Sequence, residues 1–359
     1  MRSSHLFLTV LIASCAATDL DNPSPGLSDP SVSSRTSPGV TGITTLTRNM
    51  YVGADVDAVI AALVSPDPND DIPALLQAIQ TLGATDFPTR SRAMAEEIAR
   101  ARPHAVGLQE VSTIDIDLSA LGLPVVIHQD FLTTLLADLA ARGLDYTVAA
   151  QVTNVQAAPL PGVSLVDRDV LLIDRRRVEI RGTPLARNYS QNIGTVAPGV
   201  SLVRGFVAVN AVIAGRPVTI ASTHLESGSA PGLDLLRAAQ AAELALVLAP
   251  REHALIMGDL NDVPGSPMHQ ALSAAGFVDA WATLHPNGAG LTCCHLADLS
   301  DSAATFTTRL DYVLARGFSL QGEKDGSIVL IGDQPSDRIP GPAYPIWPSD
   351  HAGLVARLR

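Results

Sequence analysis

The chain has 359 residues, of which 47% are hydrophobic and 17% charged, and its formal net charge is −12. This composition supplies a large hydrophobic core and excludes a chain that is disordered throughout. An acidic surface repels nucleic acid and anionic membranes at long range, which weighs against a high-affinity, non-specific DNA-binding protein. A nuclease is not excluded, because bound divalent cations invert the charge locally.

The first residues have the features of an export signal. Arg2 precedes an apolar run over residues 6–13, which is too short to span a membrane and ends in Ile12-Ala13-Ser14-Cys15. This ending resembles a bacterial lipobox. We predict a signal peptide over residues 1–14, lipidation of Cys15 and an exported protein, either a cell-envelope lipoprotein or a secreted one. The alternative is an ordinary secretory signal that is cleaved elsewhere, with Cys15 lost.

Residues 16–40 contain mainly Asp, Asn, Pro, Ser, Gly and Thr, a composition typical of a flexible tether. We therefore predict a flexible linker over residues 15–40 and one domain over residues 41–359. Within that domain, Cys293 and Cys294 are adjacent. They form either a vicinal disulfide or two free thiols, while a zinc site with His295 would need more ligands and better spacing.

Strands and helices alternate along the predicted domain. The predicted helices cover residues 90–102, 129–142 and 233–248. The predicted strands cover residues 42–49, 105–110, 146–152, 170–174, 178–181, 206–213, 217–224, 254–259, 309–314, 327–331 and 353–358. The stretches 65–71 and 335–348 are predicted to be loops. Hairpins interleaved with helices indicate an α/β (α+β) fold, a four-layer α/β sandwich in which two packed mixed β-sheets are flanked by helices.

Five of these strands carry polar or acidic residues at one end. The segments are Gln109-Glu110, Thr223-His224, Gly258-Asp259-Leu260-Asn261, Leu310-Asp311-Tyr312 and Ser349-Asp350-His351. Burying a carboxylate is unfavourable unless it is paired or bound to a metal. If the segments converge at one rim, they form an oxygen-rich, anionic pocket of the kind that magnesium or calcium prefers. Histidines beside carboxylates suit acid–base chemistry or contacts to phosphate.

These five segments, in this order, resemble the motifs of the endonuclease/exonuclease/phosphatase superfamily, and Asn49 resembles that family's opening Asn. The resemblance covers residues 41–359. It implies a Mg²⁺-dependent hydrolase, with Mn²⁺ or Ca²⁺ as alternatives, in which an activated water attacks a phosphodiester in line. The substrate stays open between nucleic acid and a phospholipid or sphingomyelin head group. We expect a monomer that contacts a membrane only through an N-terminal lipid anchor.

The resemblance also implies which residues bind the metal. Glu110 is expected to be the principal ligand, with Asn49 at the same site. Asp350 is expected to be a ligand of a second site or a structural support.

The remaining matched residues are implied to be catalytic. Asp259 would orient or deprotonate the attacking water, and Asn261 would hold that water or a phosphate oxygen. His224 and His351 would donate hydrogen bonds to the phosphate. Asp311 would pair with His351 and fix its tautomer and charge.

The alternative function is a non-catalytic surface binding protein that retains the fold. Such a protein would have lost one or more of these eight residues, and all eight are present. A serine or zinc hydrolase has no supporting motif.

Outside the matched set, Asp169 either approaches the site or is an ordinary edge residue. Glu226 is expected to be solvated and Tyr146 to be a core residue.

Overall fold

The computed structural model describes residues 42–67, 69–322 and 324–359. Cys15, the predicted signal peptide, the linker and the domain boundary at residue 41 lie outside these ranges and stay predictions. Among the described residues, every helix is too short or too polar to cross a membrane.

The described residues contain seven α-helices, 18 strands and two short 3₁₀ turns. The helices are α1 (Val56–Val64), α2 (Asp71–Thr85), α3 (Phe87–Ala101), α4 (Phe131–Ala141), α5 (Leu233–Leu248), α6 (Pro267–Ala274) and α7 (Ala280–Leu284). The strands are β1 (Ile43–Asn49), β2 (Ala105–Gln109), β3 (Thr113–Asp117), β4 (Val126–Asp130), β5 (Tyr146–Leu160), β6 (Val163–Asp174), β7 (Val178–Asn188), β8 (Gly194–Ala197), β9 (Val200–Leu202), β10 (Gly205–Ile213), β11 (Arg216–His224), β12 (Ala254–Asp259), β13 (Val278–Asp279), β14 (Asp311–Arg316), β15 (Gly326–Ile331), β16 (Ile339–Pro340), β17 (Pro345–Ile346) and β18 (Gly353–Leu358).

The strands form two large mixed sheets and one small hairpin. The ten-stranded sheet has the order β15-β18-β1-β2-β6-β5-β9-β8, with β3 paired to β6 and β4 paired to β3. The six-stranded sheet has the order β13-β14-β12-β11-β10-β7, and β16 pairs with β17. Each large sheet contains one parallel pair, β1–β2 and β11–β12, among antiparallel neighbours.

The two large sheets pack face to face with helices on both outer faces. The central core joins Ile43 and Leu171 of the ten-stranded sheet to Val207 and Leu255 of the six-stranded sheet. Helices α2, α3 and α4 bury apolar side chains on the outside of the ten-stranded sheet. Helices α5 and α6 do the same on the six-stranded sheet. The predicted four-layer sandwich is therefore confirmed.

Local sequence explains where α4 begins and which face it buries. The side chain of Asp130 accepts a hydrogen bond from the backbone N–H of Thr133 at 3.0 Å, which caps the first turn. Phe131, Leu135 and Leu139 follow at helical spacing and are buried. The helix predicted over residues 129–142 is thus shorter at its start, because residues up to Asp130 belong to β4.

Several elements were absent from the sequence prediction. Helices α1 and α2 occupy part of residues 51–88, and β5, β6 and β7 extend well beyond their predicted ends. The extensions carry many half-exposed residues, so they lack the continuous apolar run that marked the central strands. Residues 309–310 were predicted to be strand, but β14 begins at Asp311.

The two sheets are in close contact at Gly107. A Cβ atom there would lie 2.6 Å from Oγ of Ser222 and 3.1 Å from Cγ of Met257 on the facing sheet. Next to it, Nε2 of Gln109 donates a hydrogen bond to Oγ of Ser222 at 3.1 Å. Gly107 thus allows a polar link between the sheets directly beneath the rim.

We predict that Gly107→Ala lowers the free energy of unfolding by about 1–3 kcal/mol, because the added methyl group overpacks the space between the sheets. Urea unfolding followed by circular dichroism measures the change. The matched control is Gly83→Ala in α2, where an added Cβ meets no atom within 4 Å among the described residues. That change should stabilise by about 0.5–1 kcal/mol. Equal effects of the two substitutions would contradict the packing argument.

A second prediction concerns His104, whose Nδ1 accepts a hydrogen bond from the backbone N–H of Thr44 at 3.0 Å. Burial, together with Arg177, lowers the pKa of His104 to about 4, whereas an unfolded histidine has a pKa of about 6.5. Between these values the unfolded chain binds the extra proton, so stability is fully present above about pH 6.5 and falls as the pH approaches 4.

His104→Asn keeps a side-chain acceptor but has no titration in this range. We therefore expect the wild type to lose more unfolding free energy than this variant between pH 7 and pH 4.5 in parallel urea titrations. Identical losses would show that His104 is not the group responsible.

Candidate active site

Strand pairing brings the predicted residues to one rim of the sandwich. Because β1 and β2 are parallel, Asn49 at the end of β1 and Glu110 just after β2 lie at the same edge. In the facing sheet, His224 and Asp259 are register partners at the ends of parallel β11 and β12. Antiparallel β14 begins at the same level, with Asp311 opposite Asp259.

The side chain of Asn49 connects the two sheets at this rim. Its Nδ2 donates to Oε1 of Glu110 at 2.8 Å and to Oδ2 of Asp259 at 3.2 Å. Its Oδ1 accepts from the backbone N–H of Tyr51 at 2.8 Å. The other oxygen of Glu110 accepts from the backbone N–H of Val52 at 2.9 Å. The loop after β1 therefore holds both groups in fixed positions.

His351 and Asp311 form a close, buried pair in the site. Nδ1 of His351 lies 2.8 Å from Oδ2 of Asp311, whose side chain is fully buried. The same nitrogen lies 3.7 Å from Oδ2 of Asp259. Burial opposes a charge on His351, but Asp311, Asp350 and Asp259 together raise its pKa well above the usual range. The predicted pairing of His351 with Asp311 is present, and it favours the imidazolium form.

His224 approaches the same oxygen of Asp259 as His351 does, with its Nε2 3.7 Å from Oδ2 of Asp259. Burial, together with Arg204 and His351, lowers the pKa of His224 well below the usual range. A neutral imidazole still donates from one ring nitrogen. The backbone N–H of His224 donates to Oδ2 of the fully buried Asp169 at 2.9 Å. Asp169 therefore approaches the site and is not an ordinary edge residue.

Asn261 follows β12 in a left-handed backbone conformation with a φ of +50°. Its backbone N–H donates to Oδ1 of Asp259 at 2.9 Å, and its Nδ2 donates to the carbonyl oxygen of Leu225 at 3.0 Å. Both oxygens of Asp259 thus accept hydrogen bonds, which fixes the orientation of this carboxylate.

Glu110, Asp167 and Asp350 line one cleft at this rim. Burial, with added repulsion from Asp350 and Asp167, raises the pKa of Glu110. Burial raises the pKa of Asp167 to about 6, although Oγ of Ser112 donates to its Oδ1 at 2.9 Å. The mutual repulsion shows that this part of the cleft has an excess of negative charge. A hard divalent cation would relieve it, and the oxygen donors have the chemistry that such a cation prefers.

Asp167 was missed by the sequence analysis. It lies in β6 within the charged run Asp167-Arg168-Asp169, which interrupts the apolar pattern of that strand and gives no signal of burial. Only the antiparallel pairing of β6 with β2 brings it beside Glu110.

The cleft has a volume of about 310 Å³ and partly apolar walls. Val155, Leu165 and Leu202 line it from β5, β6 and β9, and Val56 and Ile60 line it from α1. Elements that the sequence did not predict, namely α1, β9 and the extended parts of β5 and β6, thus contribute apolar wall residues of the site.

The structure contradicts the expectation that Glu226 is solvated. It is 2% exposed rather than solvated, and its Oε1 lies 3.2 Å from Nε of Arg204. Nη2 of Arg204 also donates to Oγ of Ser227 at 3.1 Å. Tyr146, by contrast, is a core residue as expected, with its hydroxyl donating to the carbonyl oxygen of Pro103 at 2.5 Å.

Cys293 and Cys294 are placed as a vicinal disulfide, the first of the two alternatives that the sequence left open. His295 does not approach them as a third ligand. Its Nδ1 lies 2.6 Å from Oδ2 of Asp301, and its ring stacks on Trp347 with 4.0 Å between the ring centroids.

Six of the eight predicted residues line the cleft directly: Glu110, His224, Asp259, Asn261, Asp350 and His351. The other two lie behind it, with Asn49 bonded to Glu110 and Asp311 bonded to His351. The structure therefore brings the whole set together at one rim.

Comparisons with known proteins agree with this geometry. The sequence matches the Endonuclease/Exonuclease/phosphatase family over residues 79–351. No protein of curated function matches the chain. An endonuclease/exonuclease/phosphatase structure from Beutenbergia cavernae is 20% identical, with a TM-score of 0.56 over 89% of this chain and 71% of that chain.

Two further structures share the fold. One, an endonuclease/exonuclease/phosphatase from Bacteroides vulgatus, is 15% identical, with a TM-score of 0.53 over 89% of this chain and 99% of that chain. The other is D. rerio TDP2 complexed with single strand DNA product. It is 12% identical, with a TM-score of 0.51 over 89% of this chain and 100% of that chain. The chain thus belongs to the endonuclease/exonuclease/phosphatase family, whose members are divalent-metal-dependent hydrolases of phosphoester bonds.

Proposed function

We propose that this protein is a Mg²⁺-dependent phosphodiesterase in which an activated water attacks the phosphorus in line with the leaving oxygen. The observation that carries the proposal is the placement of the paired Asp311 and His351 beside Asp259, within one rim that also holds Asn49 and Glu110. A non-catalytic binding protein would have no need for this costly arrangement of buried charges.

Glu110 and Asp350 would hold the cation, with Asn49 orienting Glu110. Their oxygen donors suit Mg²⁺, with Mn²⁺ and Ca²⁺ as alternatives. When bound, the cation would stabilise negative charge on the phosphate oxygens. Asp259, Asp311 and His351 also have potential ligand atoms within 4.8 Å of one another. We assign them to acid–base work instead, because a cation there would compete with the hydrogen bond between Asp311 and His351.

Asp259 is the candidate base. Burial, reinforced by Asp311 and opposed by His351, raises its pKa, which makes its carboxylate a stronger proton acceptor for a bound water. Asn49 and Asn261 fix its orientation through the hydrogen bonds described above.

The two histidines would bind the phosphate. With Nδ1 of His351 on Asp311, its Nε2, which lies 3.7 Å from Sγ of Cys294, would donate to a phosphate oxygen. His224, whose Nε2 also lies near Asp259, would donate a second hydrogen bond. Donors placed where negative charge develops stabilise the transition state electrostatically.

The charge of the cleft supports a head-group-sized phosphodiester over a long polynucleotide. Among the described residues that line it, Arg204 is the only Lys or Arg, and it is already engaged by Glu226. The acidic side chains in the same lining are Asp55, Asp57, Glu110, Asp167, Glu226, Asp259 and Asp350. Polynucleotide binding draws its affinity from several Lys and Arg contacts to phosphates. A phospholipid head group needs only one phosphate contact and agrees with the proposed export and lipidation at Cys15.

Hydrolysis of a chromogenic phosphodiester, sphingomyelin, phosphatidylcholine, RNA and single-stranded DNA, each with Mg²⁺, Mn²⁺, Ca²⁺ or chelator, tests the proposal. We expect metal-dependent turnover that is highest on the lipids. His351→Gln should lower kcat by about 10²–10⁴-fold. Glu110→Gln should weaken Mg²⁺ binding about tenfold or more in calorimetric titrations.

The control for both variants is Asp115→Asn, which removes an exposed carboxylate from the pair with His128, outside the active-site cleft. It should change neither turnover nor metal affinity. Near-normal turnover of His351→Gln, or unchanged Mg²⁺ affinity of Glu110→Gln, would refute the assigned roles.

We further predict that Asp311→Asn lowers the pKa of His351. The substitution removes the nearest anion that stabilises the imidazolium. Burial, which destabilises the imidazolium, is then opposed by fewer charges. NMR titration of the ring nitrogens, without added divalent cations, measures this shift. The exposed His128 serves as an internal reference and should titrate as in the wild type. An unchanged His351 pKa would mean that Asp311 does not control its charge.

A further inference from the structure

Two sulfur atoms and one imidazole nitrogen lie together beside the active site. Sγ of Cys294 is 3.7 Å from Nε2 of His351. Cys293 is bridged to His351 by an isolated backbone β-bridge, which fixes the two segments against each other. The potential ligand atoms of Cys293, Cys294 and His351 all lie within 4.8 Å of one another. His295, which follows the cysteines in sequence, is not in this group.

The spacing suits a small thiophilic cation. In tetrahedral zinc sites, Zn–S and Zn–N bonds of about 2.3 and 2.0–2.1 Å place a sulfur and a nitrogen ligand roughly 3.5 Å apart. The Sγ–Nε2 distance of 3.7 Å is close to that value. The other ring nitrogen of His351 contacts Asp311 at 2.8 Å. Zinc-binding histidines generally have such a carboxylate partner, which orients the ring and makes Nε2 a better ligand.

We propose that Cys293, Cys294 and His351 form a binding site for Zn²⁺ or a similarly thiophilic divalent cation when the cysteine pair is reduced. Bound there, the cation occupies Nε2 of His351 and so removes that nitrogen from the phosphate. Binding itself is independent of the proposed function, whereas the inhibition rests on the proposed role of His351.

The site opens by thiol–disulfide exchange. A dithiol reductant supplies two electrons and two protons, becomes a disulfide itself, and leaves Cys293 and Cys294 as thiols. Zn²⁺ then displaces the two thiol protons and the Nε2 proton of the His351 imidazolium, all three of which pass to solvent, and forms two Zn–S bonds and one Zn–N bond, with solvent water completing the tetrahedron. The disulfide form offers no thiolate and leaves the site closed. Cys293 is buried while Cys294 is partly exposed, so the reductant reaches the pair from the Cys294 side.

Zinc affinity tests the binding step. The protein is prepared oxidised, or reduced with dithiothreitol that is then removed without air, and Zn²⁺ is titrated against a chromogenic chelator in saturating Mg²⁺. We expect one equivalent of Zn²⁺ to bind the reduced protein at least about tenfold more tightly than the oxidised protein. The reduced Cys293→Ser/Cys294→Ser and His351→Gln variants should both lose this binding. His128→Gln, which alters an exposed histidine, should retain it.

Circular dichroism verifies that each variant is folded. Retention of the zinc equivalent by the double serine variant would overturn the site. Full affinity in His351→Gln would overturn the assignment of His351 as its third ligand.

Hydrolysis of the chromogenic phosphodiester tests the inhibition. The cysteines supply no group to the proposed mechanism, so the double serine variant should hydrolyse at the wild-type rate. One equivalent of Zn²⁺ should stop the reduced wild type and leave the oxidised wild type and the serine variant active. Undiminished hydrolysis with zinc bound would overturn the inhibition. If the protein hydrolyses none of the substrates, the proposed function fails, while the affinity measurement still decides the site.

Discussion

The active site depends on one amide group that bonds to carboxylates from both sheets. Asn49 donates to Glu110 of its own sheet and to Asp259 of the facing sheet, at the level where both parallel strand pairs end. Gly107 and the bond from Gln109 to Ser222 hold the sheets close just below. If the sheets were further apart, the proposed metal ligands and the proposed catalytic base would belong to separate surfaces. The proximity of these residues is therefore a consequence of how the two sheets pack.

The acidic residues of this rim form two groups whose negative charges are balanced in different ways. Asp259 and Asp311 are compensated within the protein, because both face the imidazolium of His351. Glu110 receives hydrogen bonds from Asn49 and Val52, but burial, and then repulsion from Asp350 and Asp167, still raise its pKa. This division explains how a single rim can hold so many carboxylates with separate functions. Those that face His351 are suited to proton transfer, and those near Glu110 are suited to binding a cation.

The cleft walls come from different elements than the cleft floor. The floor consists of the ends of central strands, whereas the walls include α1 and the outer parts of β5, β6 and β9. Such peripheral elements vary without disturbing the chemistry beneath them. We expect substrate choice to depend on the walls and on Arg204, and bond cleavage to depend on the floor. The zinc site proposed at the cysteine pair beside His351 would allow a bound cation to inhibit the residues of the floor.

The sequence by itself determined the central strands, the helix α5 and the two-sheet architecture, and its resemblance to the family named the eight residues that the structure places at one rim. These features are local, because each core strand is an apolar run and each matched side chain sits at its tip. Tertiary structure alone decided the rest. Asp167 and Asp169 resemble ordinary strand residues until the pairing of β6 brings them to Glu110 and His224. Glu226 is buried because Arg204, 22 residues away, meets its carboxylate. The imidazole that shares a group of potential ligand atoms with the two cysteines belongs to His351, 57 residues from Cys294, since contacts across strands do not follow the order of the chain.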